Sequence, residues 1–343
     1  MDPIELDYME YANDATAQAA FVGEGFVSRY PTQDDAHVKA TTKYSTSYWP
    51  YYTTDPSKSL VGAPTNVQWA SQNGVYTNQR FHVDLGSAKI IKRIYYENHH
   101  NSGGSTNVGA KNFTFWGSND AGSFADLTYG TDTGWTQLTT SQSSLDQHVG
   151  ANQADPKYIG VTNNTPYRYY AFKFPDNWGS NTFMGVRRIE LQTNDLEAYS
   201  EGTLKVQGSY ALKAFAVITD ALNKTLIRTV SPVINFTDKT IIKFDIRASR
   251  TGSNIKLGIH DSGGTTTEIT PNIVAVDTYQ MVLWDLSGVA NTNKDAIDQI
   301  IITVVNADAE NTFYLDNLFA NIIENFLIHR GRDRSRFKGY SLG

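Results

Sequence analysis

The chain has 343 residues, with 26 glycines, 20 tyrosines, no cysteine and a formal net charge of −6. The length allows two domains of ordinary size; the lack of cysteine excludes a disulfide framework and thiolate catalysis, and the acidic balance speaks against a nucleic-acid-binding face. Strand and turn formers dominate, and no apolar run approaches the ~20 residues of a membrane span, so the composition predicts an all-β protein without membrane insertion.

Residues 1–7 are acidic, the reverse of a signal peptide's positive start. A protein that works outside a cell would then leave by another route, such as release inside an assembled particle. Residues 14–22 carry four alanines and predict a helical turn capped by Asp14, which Gly23-Glu24-Gly25 breaks. Residues 43–52 are too hydroxylated for a core strand and too aromatic for a linker. Residues 80–86, 90–98 and 111–120 alternate apolar and polar positions, the period of half-buried strands, with Asp84-Leu85-Gly86-Ser87 as the turn between the first two. Residues 98–109 are polar and glycine-rich and predict a surface loop. A rigid sheet would thus present a long polar loop, a common way to build a binding site. Residues 167–174 alternate again, 176–185 form a loop, and 186–191 a closing strand. Beyond them, 203–207, 241–247, 255–259, 280–286, 300–305 and 312–318 are strand-like at the spacing of a sandwich, and 295–299 predicts a helical turn. Residues 326–343 are strongly basic: a solvated tail, or a docking arm for an acidic partner or a neighbouring subunit.

Two resemblances follow. "FHVDLGSAKIIKRIYY", "NFTFWGSNDAGSF" and "GWTQL" resemble, in order and spacing, the discoidin family of coagulation-factor type C domains, which are galactose-binding-like β-sandwiches. "EGTLKVQGSYALKA", "VLWDLSGV" and "NTFYLDNLF" resemble the jelly-roll carbohydrate-binding modules. Residues 194–202 look like the approach to a second strand, and residues 6–11 like the missing first one. The expected architecture is two β-sandwich domains, with a discoidin-like domain (24–193) inserted into a jelly roll made of 1–23 and 194–325. Two domains in tandem is the other reading.

The loops 98–109 and 176–185, with 44–52 and 73–79 nearby in the family's topology, are the candidate site. A sugar offers hydroxyl edges and apolar C–H faces, so its site needs aromatic planes and amide or imidazole hydrogen-bonders. These loops supply Tyr48, Trp49, Tyr51, Tyr52, Tyr76, Trp178 and Phe183, together with Asn98, His99, His100, Asn101, Asn107 and Asn177. The alternative is that the aromatics pack and the asparagines make turns; for Trp69, Trp116, Trp135 and Trp284 a core role is expected. Calcium-binding discoidin relatives commonly have Asp before the Gly where this chain has Val61. The jelly-roll resemblance implies a structural calcium on Asp7, Glu10, Asp316 and the 208–209 backbone, against the reading that these are ordinary carboxylates. His99-His100 lacks a third ligand at metal spacing. No catalytic motif is present, and Asp295/Asp298 sit on a polar turn. The expected function is therefore non-enzymatic binding of carbohydrate on a cell surface or in a matrix. The expected setting is extracellular or a virion surface, as in a phage tail fibre, decoration or adhesion protein, with self-association or other particle subunits as partners. The alternatives are a structural subunit that binds no glycan and an accessory polysaccharide-binding module of an extracellular enzyme system.

Overall fold

The computed structural model describes residues 3–322; the basic run 326–343 lies outside them. The chain divides into two units, one formed by the residues up to Gly25 together with those from Asp195 onward, the other by Phe26–Asn194.

The first unit is a sandwich of two antiparallel sheets. One sheet runs Ala198–Glu201, Ala211–Ala216, Asn311–Asn321, Ile241–Ala248, Gln280–Asp285, with Ile4–Asp7 also paired to Asn311–Asn321. The other runs Thr265–Ile269, Ile255–Asp261, Ile297–Val304, Thr225–Ile234, Val22–Gly23. Inward residues of both sheets, among them Phe244, Leu315, Leu226 and Ile302, share one buried core, as period-two alternation requires. Leu6, Met9, Ala17 and Phe21 of the leader belong to that core. The leader's buried Asp7 accepts from the Met9 N–H at 2.6 Å and the Tyr11 hydroxyl, and pairs with Arg228 Nε at 2.5 Å. Burial nevertheless pushes its carboxyl above the usual range.

Three local expectations need correction. The helix Asp14–Ala20 is capped by Asn13, whose side chain accepts from Thr16 N–H at 3.0 Å while Thr16 Oγ1 accepts from Asn13 N–H. Asp14 accepts from Ser200 N–H instead. Residues 203–207 form no strand: the N–H groups of Val206 and Gln207 turn in to Asp316 Oδ2 at 2.6 and 3.1 Å, and the strand lies earlier, at Ala198–Glu201. Residues 295–299 are not helical. Ile297 opens the β-branched strand Ile297–Val304, whose two partner strands outweigh the local turn signal.

The chain leaves and re-enters this unit at one point. Asp195 N–H donates to Gly25 O at 3.0 Å, and Gly25 N–H donates to Asp195 Oδ1 at 3.1 Å. A Cβ on Gly25 would stand 2.0 Å from Asp195 Oδ2, so a larger residue there would displace the carboxylate that accepts from Gly25 N–H.

The second unit is a ten-stranded antiparallel sheet in the order Phe26–Arg29, Gly185–Asn194, Arg93–Asn98, Lys157–Thr162, Thr136–Thr140, Thr114–Ser118, Tyr167–Phe174, Gln79–Lys89, Val38–Ala40, with Trp69–Ala70 also paired to Gly185–Asn194. Its two ends meet over one core: Trp69, beside one end, lies 5.5 Å from the ring of Phe81 at the other, and its Nε1 donates to Thr42 O. The expected turn at 84–87 is absorbed within Gln79–Lys89. Gly86 takes φ +76°, the pairing shifts register opposite Tyr167 and Tyr169, and Arg168 grips Asp84 with two bonds of 2.8 Å.

Leu6→Ala is expected to cost about 2–4 kcal/mol, the range for a buried leucine. Denaturant unfolding read by hydrogen exchange should show protection falling in 195–322 and unchanged in 26–194.

Candidate functional site

At one end of the second unit the loops enclose a cavity of ≈ 440 Å³. Tyr44, Tyr48 and Phe183 supply its aromatic wall, Asn101, Asn107 and Asn181 its amides, and Ser105, Ser180 and Thr182 its hydroxyls. The aromatic rings brace one another edge to face: Tyr44 lies 5.3 Å from Phe183 and 5.4 Å from Tyr48. His99 also lines the cup, is 1% exposed, and meets Phe183 edge-on at 5.9 Å.

Each wall has a local cause. Asn101 and Gly104 exchange two backbone bonds of 2.8 Å. Between them Gly103 takes φ +89°, and a Cβ there would sit 2.7 Å from the Ala151 carbonyl carbon. Asn177 folds the other loop. Its Oδ1 accepts from Gly179 and Ser180 N–H at 2.9 and 3.0 Å, and its Nδ2 donates to Ser180 and Phe183 carbonyls.

Behind the cup lies Arg187, on the strand Gly185–Asn194 and fully buried. Its guanidinium donates to the carbonyls of Ser59 (3.2 Å), Val61 (2.7 Å), Gly62 (3.2 Å), Ala63 (3.4 Å) and His100 (3.0 Å). Burial lowers its pKa to about 10, against the opposing pull of Glu97, so it stays charged at neutral pH. One planar fork thus ties the 59–63 loop to the start of the 100–105 loop.

The histidines here are hydrogen-bonding parts. Burial, reinforced by Arg187, His100 and His148, pushes His99 down to about 3, and its Nδ1 is engaged by Gln68 Nε2. His100 and His148 stack at 4.0 Å and 15°. Each Nδ1 accepts a glycine N–H, from Gly103 and Gly150, so each Nε2 carries the proton and donates to Leu60 O or Gln153 O. The stack joins the 100–105 loop to residues 148–153.

Of the residues singled out from the sequence, Tyr48, His99, Asn101, Asn107 and Phe183 line the cup. The others lie elsewhere. Asn98 is buried on the carbonyls of Ala110 and Asp146, and His100 and Asn177 shape loops as described. Trp178 donates to Leu145 O, with Lys111 4.8 Å over its ring. Trp49 and Tyr51 stack at 5.7 Å, Tyr52 adjoins Tyr51, and Lys43 and Lys58 cover Trp49 and Tyr52. Trp49 lines a separate cavity of ≈ 270 Å³ with Asp35, Lys39 and Lys43. Tyr76 is exposed and lines neither. Sequence reasoning missed Tyr44, Ser105, Asn181 and Thr182 as lining residues, although all fall in loops it had marked. Arg187 carried no signal, because an arginine in an alternating strand reads as solvent-facing.

The carboxylates expected to hold calcium each have hydrogen-bond or ion-pair partners. Asp7 pairs with Arg228, Glu10 accepts from Ser209 and Tyr210 N–H, and Asp316 Oδ2 accepts from Val206 and Gln207 N–H. Asp316 Oδ1 is buried without a partner, and no group of three or more metal-ligating side chains occurs among the described residues.

No family model matches the chain, and no curated protein matches it. Among solved structures it is similar to chitosan-binding module 1 of a chitosanase/glucanase from Paenibacillus sp. IK-5 (18% identity, 48% of this chain and 98% of that one, TM-score 0.32). It is also similar to the family 32 carbohydrate-binding module of C. perfringens NanJ in complex with galactose (12% identity, 46% and 92%, TM-score 0.31). A third similar structure is the lectin domain of lectinolysin with Lewis B antigen (13% identity, 47% and 96%, TM-score 0.30).

Two expectations follow. Arg187→Lys, which keeps the charge but loses the fork, should destabilise the unit by about 3 kcal/mol, the scale of a broken buried network, seen as a lower denaturation midpoint. The low pKa values of His99 (about 3) and His82 (about 4) mean that the unfolded chain, near 6.5, takes up protons first. Stability should hold above pH 6.5 and fall below it, by about 2 kcal/mol per histidine at pH 5. Urea unfolding from pH 7.5 to 5 measures this, and His99→Asn should flatten the slope.

Proposed function

We propose that the protein is a non-enzymatic glycan-binding protein whose site is the cup between Tyr44, Phe183 and the 101–107 loop. The observation that carries this reading is the pairing, in one cavity, of braced aromatic rings with amides and hydroxyls from three loops. The rings offer planes for the C–H faces of a pyranose, and the amides and hydroxyls meet its hydroxyls. Tyr44 is 44% exposed, an open aromatic surface beside the amides. A single cup of this kind suits weak single-site binding, which becomes effective when many copies act together. That favours display on a particle or against a polymeric surface, and a virion component that recognises cell-surface glycan is the setting we propose.

Full-length protein displayed multivalently on a glycan array should bind a defined set of glycans. Phe183→Ala and Asn107→Ala should each weaken binding at least about tenfold, which corresponds to about 1.4 kcal/mol, while leaving the thermal unfolding profile of Asn107→Ala unchanged. A folded array-negative protein would point instead to a structural subunit.

A further inference from the structure

The charge of the cup narrows the ligand. Among the described residues, none that lines it carries an ionised side chain: it is made of tyrosine, phenylalanine, asparagine, serine, threonine, proline, valine, glycine and His99. Charge is not scarce on this unit, since the ≈ 270 Å³ cavity nearby in the chain's order of loops is lined by Asp35, Lys39 and Lys43.

His99 is the one titratable group that could charge the site near neutral pH. It is buried, held by Gln68 at Nδ1, and surrounded by Arg187, His100 and His148, all of which oppose a positive ring. It therefore acts as a neutral imidazole. Arg187 is the fixed cation whose charge acts on it, but its guanidinium is turned to five backbone carbonyls and does not line the cup.

We propose that the cup selects uncharged glycans, with hexose or N-acetylhexosamine termini, over glycans that present a carboxylate, sulfate or ammonium group to it. This rests on the glycan reading above. A charged substituent that enters a partly enclosed cavity gives up water, and here it meets no opposite charge in return. Neutral hydroxyls and acetamido groups exchange water for amide, hydroxyl and imidazole partners at little net cost.

The test is an array of neutral glycans beside matched charged forms: lactose and 3′-sialyllactose, lactose and its sulfated form, chitotriose and its N-deacetylated trimer. Full-length protein is probed at pH 6. The neutral member of each bound pair should bind at least about tenfold tighter. Asn107→Asp should shift preference towards the ammonium-bearing trimer, and Asn107→Lys towards the sialylated and sulfated forms. Equal or tighter binding of the charged members overturns the selectivity but leaves glycan binding standing. Preferences that neither Asn107 variant moves also overturn it, because selection would then lie outside the cup. Binding to no member overturns the glycan reading and the selectivity together.

Discussion

A single buried guanidinium organises the loop end of the 26–194 unit. Arg187 enters from the strand Gly185–Asn194 at a bulge, where the pairing with Arg93–Asn98 shifts register between Val186 and Arg188, and its fork reaches five carbonyl oxygens that no other described donor collects together. A loop of the composition Ser59–Pro64 has no regular ladder to satisfy its carbonyls, and unsatisfied buried carbonyls are costly. The charge-assisted bonds supply what a strand would otherwise provide. The burial that lowers the pKa of Arg187 also lowers those of His99 and His100, and the charge of the guanidinium adds to the effect on both rings.

The cup inherits its shape from that arrangement. His100 sits between the guanidinium, which takes its carbonyl, and His148, which stacks on its ring. Both rings accept backbone N–H bonds at Nδ1, so each orders a glycine-containing turn. On the opposite wall Asn177 does similar work with its amide. The residues free to meet a ligand are then those left over at the rim, namely Asn101, Asn107 and Asn181 with the aromatic rings. Support and contact are thus divided between residues of the same chemical types.

The other unit depends on a different constraint, the closeness of Gly25 and Asp195. Because the chain leaves and returns through one hydrogen-bonded pair, the leader strand Ile4–Asp7 can lie beside Asn311–Asn321 although some 300 positions separate them in sequence. Its core then includes Leu6, Met9 and Phe21 beside residues of the two sheets. The pair between buried Asp7 and half-buried Arg228 joins the leader to the second sheet.

How much of this was legible follows from the range of each signal. The strand signals at 167–174, 241–247 and 255–259 are local, and strands form at all three, although the structure buries most of their residues on both faces. Polar glycine-rich loops likewise marked the region of the cup. Segments 203–207 and 295–299 misled because distant partners, Asp316 in one case and two flanking strands in the other, overrode weak local preference. Among the candidate residues, composition could name asparagines, histidines and aromatics, but not which would face outward. Asn98 and Asn107 are nine positions apart in one loop region, yet the first is buried on two carbonyls and the second opens to the cup. The sequence by itself determined the all-β class, the strand alternation and the polar loops, since these depend on neighbours in the chain. Only the tertiary structure decided which polar groups brace and which are free, because that depends on which carbonyls and N–H groups distant segments leave unpaired.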